Sequence, residues 1–92
     1  MSRIRPVFTV RLWDETGMDP NENTPISETR AFSINASIGA GECLIKKLGK
    51  DEGQRYSRVP YSRTLMFIGH HFAKEHWIGQ NGRKVLVWVE QE

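Results

Sequence analysis

The amino-acid sequence predicts an α+β fold in which a small antiparallel β-sheet of about three strands is covered by two helices. Two observations predict this class. Stretches near both ends alternate between apolar and polar residues, as half-buried strands do. Two stretches between them repeat apolar residues at helical spacing, so that strands and helices are segregated along the chain. The length of 92 residues suits one hydrophobic core, and we expect a single domain spanning residues 1–92.

The strands are predicted from alternating stretches. Residues 7–13 predict the first strand, and residues 29–36 predict a second strand that runs antiparallel to it. Residues 84–92 alternate valine with larger side chains and predict a third strand. The pair Asn81-Gly82, which precedes this strand, is a strong signal for a tight turn.

The helices are predicted from capping residues and apolar spacing. Residues 38–50 follow Ser37, which can cap a helix, although three glycines in the stretch weaken its helical propensity. Residues 62–77 begin with a second capping residue, Ser62, and repeat apolar residues at helical spacing. Cys43 lies in the first helix and is expected to be a buried apolar residue. The side chains expected in the core are Leu12, Phe32, Leu44, Leu65, Ile68, Phe72, Val85 and Val87.

No stretch of the sequence carries a catalytic or metal-binding pattern. The most suggestive set is His70, His71, Glu75 and His76. On the predicted helix, however, His70 would lie ~100° to one side of His71 and His76 ~140° to the other, so the imidazoles would not converge. A calcium loop, a phosphate-binding loop and a dinucleotide fingerprint each lack a required residue. We therefore expect no enzymatic activity, no cofactor and no bound metal.

Charge is unevenly distributed along the chain, although its net value is only +2. Residues 14–28 contain five acidic residues and no basic one, and their Asp, Asn, Gly and Pro content predicts a long acidic loop. Residues 46–63 contain six basic residues and two acidic ones. Such segregation indicates the kind of partner a protein binds and does not indicate its fold.

The basic region ends in the stretch RYSRVPYSR, residues 55–63, which contains no acid. Arginine binds phosphates or carboxylates, and tyrosine stacks on bases or packs against protein. We predict an exposed contact element, stiffened by Pro60, in which one tyrosine anchors the stretch and the other faces outward. We expect Arg58 and Arg63 to contribute more than the tyrosines, and the alternative is a solvated loop. The predicted partner-binding residues are Lys46, Lys47, Lys50, Arg55, Tyr56, Arg58, Tyr61 and Arg63.

The chain as a whole resembles the small phage-encoded anti-CRISPR proteins, particularly the inhibitors of type I-F surveillance complexes. The resemblance rests on size, on the lack of catalytic motifs and on the segregation of acidic DETGMDPNE from basic KKLGKDEGQRYSR. It implies a non-enzymatic inhibitor that binds the Cas protein–crRNA complex and prevents target DNA from binding or hybridising, with direct contact to the crRNA left open. The alternative is a small nucleic-acid-binding module that uses the basic Arg/Tyr stretch directly.

The same sequence predicts where the protein acts. No apolar run approaches the ~20 residues that span a bilayer, so we expect no membrane contact. Because catalytic motifs are missing, we also expect no small-molecule substrate. The opening residues, MSRIRPVF, do not form a signal peptide. A lone cysteine cannot form an internal disulfide, which suits a reducing compartment. We expect a soluble protein in the cytoplasm of the host bacterium.

Overall fold

The computed structural model describes residues 7–15, 24–66 and 72–92, and for Leu65, Met66 and Phe72 it describes the backbone alone. Its elements are, in chain order, β1 (Phe8–Asp14), β2 (Ser27–Ala31), α1 (Ile34–Glu52), β3 (Tyr56–Arg58), β4 (Thr64–Met66), β5 (Phe72–Gly79) and β6 (Lys84–Gln91). The α+β class is therefore confirmed. The predicted numbers of about three strands and two helices were wrong, because the described residues form six strands and one helix.

The described strands form one antiparallel sheet in the order β2-β1-β6-β5-β3, and β4 pairs with β5 beside β3. β1 and β2 are antiparallel neighbours, as predicted, although β2 begins and ends earlier than residues 29–36. The register places Val10 opposite Val89 and Ala73 opposite Val89, so these side chains share one face. The Asn81-Gly82 pair lies in the turn between β5 and β6, where Gly82 takes a φ of 92°.

Helix α1 covers that apolar face of the sheet. Its N-cap is Ser33, whose Oγ accepts a hydrogen bond from the Ala36 amide at 3.0 Å, and not Ser37 as predicted. Ser37 is instead fully buried one turn inside the helix, where its hydroxyl donates to the Ile34 carbonyl oxygen. The last residues of the predicted second strand therefore belong to the first turn of the helix. Gly53 ends α1 in the left-handed conformation, with a φ of 68°.

Glycines in α1 allow the helix to lie close to its neighbours. A Cβ at Gly41 would lie 2.6 Å from Cγ1 of Val87, which is on β6. A Cβ at Gly49 would lie 2.6 Å from the backbone carbonyl oxygen of Gln54. Two of the three glycines that lower the helical propensity of this stretch are thus the residues that permit its packing.

The predicted second helix, residues 62–77, was wrong. Of its described residues, Ser62 and Arg63 precede β4 in irregular backbone and the others belong to β4 and β5, whereas residues 67–71 lie outside the described part of the chain. On β5 the inward-facing positions are Ala73, Glu75 and Trp77, opposite three core valines of β6. Because one of these inward positions holds a carboxylate, the apolar–polar alternation typical of a strand is broken. The helical spacing of the neighbouring apolar residues is then the stronger pattern in the sequence, and it predicts a helix.

The core consists of buried side chains from β1, β5, β6 and α1. They are Phe8, Val10, Leu12, Ile45, Ala73, Val85, Val87 and Val89. Leu44 packs partly buried against them, whereas Phe32 is 59% exposed and the expectation that it is in the core was wrong. Of the other expected core residues, Ile68 lies outside the described part of the chain, and only the backbone of Leu65 and Phe72 is described.

The outer face of α1 is polar. Cys43 lies on it and is exposed, contrary to the expectation of a buried thiol. The helix has 19 residues and includes lysines and glutamates. Within the part of the chain that the structure describes, no helix combines the length and apolar character needed to cross a membrane.

Candidate functional site

The candidate site lies at the edge of the sheet, where residues 55–63 run beside β5. We call these residues the edge segment. β3, its first part, pairs with β5 from Tyr56 opposite Gly79 to Arg58 opposite Trp77. The Val59 amide then donates to the His76 carbonyl oxygen at 2.9 Å. After the edge segment, β4 resumes pairing with β5 at Thr64, opposite Lys74.

Ser62 holds the edge segment to β5 where the backbone leaves the sheet. Its Oγ accepts a hydrogen bond from the His76 amide at 3.1 Å and donates to the His76 carbonyl oxygen at 3.2 Å. The Ser62 hydroxyl therefore makes the two hydrogen bonds to the His76 backbone that a paired strand residue would make with its own backbone. The predicted role of Ser62 as a helix cap was wrong, since its side chain instead fixes the C-terminal end of a protruding turn to β5.

The turn between Val59 and Ser62 projects Tyr61 into solvent. The Ser62 amide donates to the Val59 carbonyl oxygen at 3.2 Å, and Pro60 and Tyr61 occupy the centre of the turn. Tyr61 has a φ of 60° and is the only non-glycine residue with a positive φ in the described part of the chain. Pro followed by a positive φ is the pattern of a type II turn, which ordinarily places glycine at the second position. A tyrosine there costs about 1–3 kcal/mol of backbone strain.

The two tyrosines of the edge segment have different environments, as predicted. Tyr56 is half-buried and packs against the hydrophobic core. Tyr61 is fully exposed. One tyrosine therefore anchors the edge segment to the domain and the other faces outward.

Two of the three arginines in the edge segment are engaged by Glu75. Arg63 Nε donates to Glu75 Oε2 at 2.6 Å, and Arg58 Nη1 lies 3.7 Å from the same oxygen. Trp77 Nε1 donates to the other carboxylate oxygen, Oε1, at 2.7 Å. Glu75 is only 6% exposed, so these groups compensate a buried negative charge. Arg63 also lies 3.6 Å from Glu42 on α1.

The remaining basic residues predicted for the site lie on α1 and at the start of the edge segment. Lys46 and Arg55 line a groove of about 260 Å³ between α1 and the sheet edge, together with Tyr56 and Trp77. Arg58, Tyr61 and Arg63 line a separate shallow groove with Pro60. Lys47 and Lys50 are exposed on α1 and line neither groove. The structure thus divides the predicted site residues into two groups and leaves two lysines apart.

Tyr56 is fixed by a polar network at the C-terminal end of α1. Its hydroxyl donates to Glu52 Oε1, and Gln54 Nε2 donates to the same oxygen at 2.9 Å. Arg83 bonds the other Glu52 oxygen and also donates to Asp14 Oδ2 through Nη2 at 2.8 Å. The network therefore joins the helix end, the edge segment, the β5–β6 turn and β1.

This network shifts the pKa of three of its members. The hydrogen bond from Tyr56 is the largest cause that lowers the pKa of Glu52. Burial, followed by the hydrogen bond to Glu52, raises the pKa of Tyr56 from 10.0 to about 12. Burial opposes the charged form of Arg83, but the hydrogen bonds to Asp14 and Glu52 outweigh it and raise the pKa of Arg83.

Sequence reasoning missed the acidic partners of the arginines. Glu75 was assigned to a helix face, and Arg83 was not singled out. Arg83 and Asp14 are 69 positions apart, and Arg63 and Glu75 are 12 apart. Neither pair has the spacing of a helical ion pair, so no local pattern indicated them.

Potential metal ligands do not cluster in the described residues. His76 Nδ1 lies 2.8 Å from Glu15 Oε1, which makes a pair and not a larger set. Across residues 7–15, 24–66 and 72–92, no three His, Cys, Asp or Glu side chains are placed so that they could hold a metal ion.

No protein-family model, no curated protein and no solved structure is significantly similar to this chain.

Proposed function

We propose that this protein is a non-enzymatic phage inhibitor that binds a type I-F CRISPR RNA-guided surveillance complex and prevents target DNA from binding or hybridising. The observation that carries the proposal is the Tyr61 turn. A large side chain stands fully exposed on a backbone conformation that disfavours it. Residues held under such strain cluster at binding and catalytic sites.

The rigidity of the turn supports a role in binding. Pro60 restricts the backbone, and Ser62 fixes the chain to His76 through two hydrogen bonds. A flexible loop loses conformational entropy when it becomes ordered on a partner. A preorganised turn has already lost that entropy on folding. Tyrosine and arginine are also the residues most enriched at the energetic centres of protein interfaces. Arg58, which is about half exposed, lines the same shallow groove as Tyr61.

The distribution of charge supports a partner made of protein and RNA. The edge segment and β2 lie at opposite edges of the sheet. Glu28, the last residue of the acidic stretch, is exposed on β2, where it pairs with Arg11 at 3.0 Å. A module that binds only nucleic acid gains nothing from an acidic stretch, which repels phosphates. A protein–RNA assembly offers basic protein surfaces as well as acidic ones, so both stretches can be used.

The proposal is tested by affinity capture from bacterial cells that carry a type I-F system. The wild-type chain, tagged at one end, is expected to recover Cas subunits together with crRNA. A Tyr61→Ala variant should recover much less, because it removes the exposed ring and keeps the charge of the protein. Phe32→Ala is the matched control, since Phe32 is another exposed aromatic residue outside the edge segment. Recovery of no Cas subunit by the wild-type chain would refute the proposal.

The rival function is a nucleic-acid-binding module that uses the edge segment. The salt dependence of the affinity for free nucleic acid distinguishes it from the proposed inhibitor. Such a module binds free RNA or DNA with an affinity whose logarithm falls by about 0.7–0.9 per phosphate contact for each tenfold rise in salt. A complex-specific inhibitor binds free nucleic acid only weakly. Tight and steeply salt-dependent binding to naked RNA would favour the module.

A further inference from the structure

The groove beside α1 carries positive charges that no described acid neutralises. Arg11, Arg30, Arg58, Arg63 and Arg83 each lie within 4 Å of a carboxylate. Lys46 and Arg55, at the rim of the groove, form no ion pair with any described residue. The acid in the groove lining, Glu42, has Arg63 at 3.6 Å. The groove therefore attracts anions.

Two aromatic rings line the same groove, and their polar ends are bound elsewhere. The Tyr56 hydroxyl donates to Glu52, and Trp77 Nε1 donates to the buried Glu75 at 2.7 Å. Gly49 lies beside the Tyr56 ring, where a Cβ would be in ordinary van der Waals contact with Cδ1 of that ring at 3.6 Å. Rings that are already immobilised lose little conformational entropy when a flat ligand packs against them.

We propose that this groove binds a nucleoside phosphate, with the base against Tyr56 and Trp77 and the phosphate between Lys46 and Arg55. Base stacking on aromatic side chains beside cations is the general means of binding single nucleotides of an unpaired strand. The groove volume of about 260 Å³ is just below the range of about 300–1,000 Å³ that is typical of pockets for drug-sized ligands. The groove therefore suits one nucleotide, either free or part of a single strand.

This inference does not depend on the surveillance-complex proposal, because it concerns a different groove and is tested on the isolated protein. The full chain, labelled with ¹⁵N, is titrated with AMP, adenosine, ribose 5-phosphate and an octamer of adenylate while backbone amide shifts are followed by NMR. AMP is expected to bind with a Kd of about 1 mM. Adenosine and ribose 5-phosphate should each bind at least about fivefold more weakly, since each lacks one half of the ligand.

Charge reversals locate the site. Lys46→Glu and Arg55→Glu should each weaken binding of AMP and of the octamer by about tenfold or more. Lys47→Glu is the matched control, because it makes the same change one residue along α1 outside the groove and should alter the Kd by less than about twofold.

The outcomes are distinct. Binding of AMP would assign a site for a free nucleotide, and binding of the octamer alone, with the same dependence on Lys46 and Arg55, would assign a nucleotide within a strand. Equal weakening by all three reversals, or ribose 5-phosphate binding as tightly as AMP, would reduce the site to general anion attraction and overturn the inference. Absence of binding by both AMP and the octamer at about 10 mM would overturn it as well.

Discussion

Arginine has opposite roles at the two ends of the edge segment. Arg63, at the C-terminal end, is bonded to a carboxylate that is almost fully buried. Arg55, at the N-terminal end, is exposed on the rim of a groove and is not paired with any described acid. The comparison shows that a count of basic residues in a sequence overstates the charge that is available to a partner. Arginines that compensate an internal acid belong to the structure of the domain.

The two tyrosines also divide into one that stabilises the domain and one that is free for contact. Along the chain, their order is the reverse of that of the two arginines. Tyr56 is tied to Glu52 and packs against the core, whereas Tyr61 is held outward by the turn. Each end of the edge segment therefore has one residue that stabilises the domain and one that is free for contact. At the groove end these are Tyr56 and Arg55, and at the turn end they are Arg63 and Tyr61.

The largest expected effect is on stability and concerns Arg63. Arg63→Ala should lower the free energy of unfolding by about 2–3 kcal/mol, because it leaves the buried Glu75 carboxylate with Trp77 and a more distant Arg58. Arg55→Ala, the matched control, should change it by less than about 0.5 kcal/mol. Urea denaturation followed by circular dichroism measures both. Equal losses for the two variants would contradict the division between structural and available arginines.

This prediction also changes the design of binding experiments. Removing Arg58 and Arg63 together, the natural choice from the sequence, would perturb folding and binding at once. The expectation that these two arginines contribute more than the tyrosines therefore gives way to a proposal centred on Tyr61, whose side chain makes no described hydrogen bond or ion pair.

A smaller effect is expected from the backbone of the turn. Tyr61→Gly should be more stable than Tyr61→Ala by about 1 kcal/mol, because glycine adopts a positive φ without strain and alanine does not. Thermal unfolding of the two variants measures the difference. If alanine proved equally stable at this position, the left-handed conformation of residue 61 would not be present in solution.

A further effect concerns the groove end and appears only at high pH. Because the pKa of Tyr56 is raised in the folded protein, its neutral form contributes stability that is fully present below pH 10 and is lost as pH rises towards about 12. Tyr56→Phe should abolish that dependence and lose less stability between pH 10 and pH 12 than the wild-type chain does. Ultraviolet absorbance should show a tyrosine titrating near pH 12 that disappears in Tyr56→Phe and persists in Tyr61→Phe. If no tyrosine of the wild-type chain titrated near pH 12, the network around Glu52 would be contradicted.

The sequence predicted those features of the fold that local patterns encode. The strands at both ends, the helix over residues 38–50 and the Asn81-Gly82 turn were confirmed, with shifted boundaries. β5 was missed because a buried acid occupies one of its inward positions, and a charged residue there is the opposite of the signal that predicts a strand. Arg63, which pairs with this buried acid, lies in the edge segment just before β4, and a single sequence does not reveal that proximity.

The candidate site was predicted only in part, because local patterns indicate some of its features and contacts between distant elements determine the others. The exposure of one tyrosine and the anchoring of the other follow from local composition and spacing, and both were confirmed. Which arginines are neutralised depends on Glu42 and Glu75, which lie on α1 and β5. The groove that joins Lys46 to Arg55 forms only when the helix packs beside β3.

The most direct test of the central claim is the affinity of a Tyr61→Gly variant for a purified type I-F surveillance complex. Because this change is expected to relieve backbone strain, weaker binding could not be attributed to unfolding. Loss of a central aromatic contact of about 2 kcal/mol predicts a Kd raised by about thirtyfold or more, with Phe32→Ala binding as the wild-type chain does. Wild-type affinity in the Tyr61→Gly variant would contradict the claim that the exposed turn is the contact element.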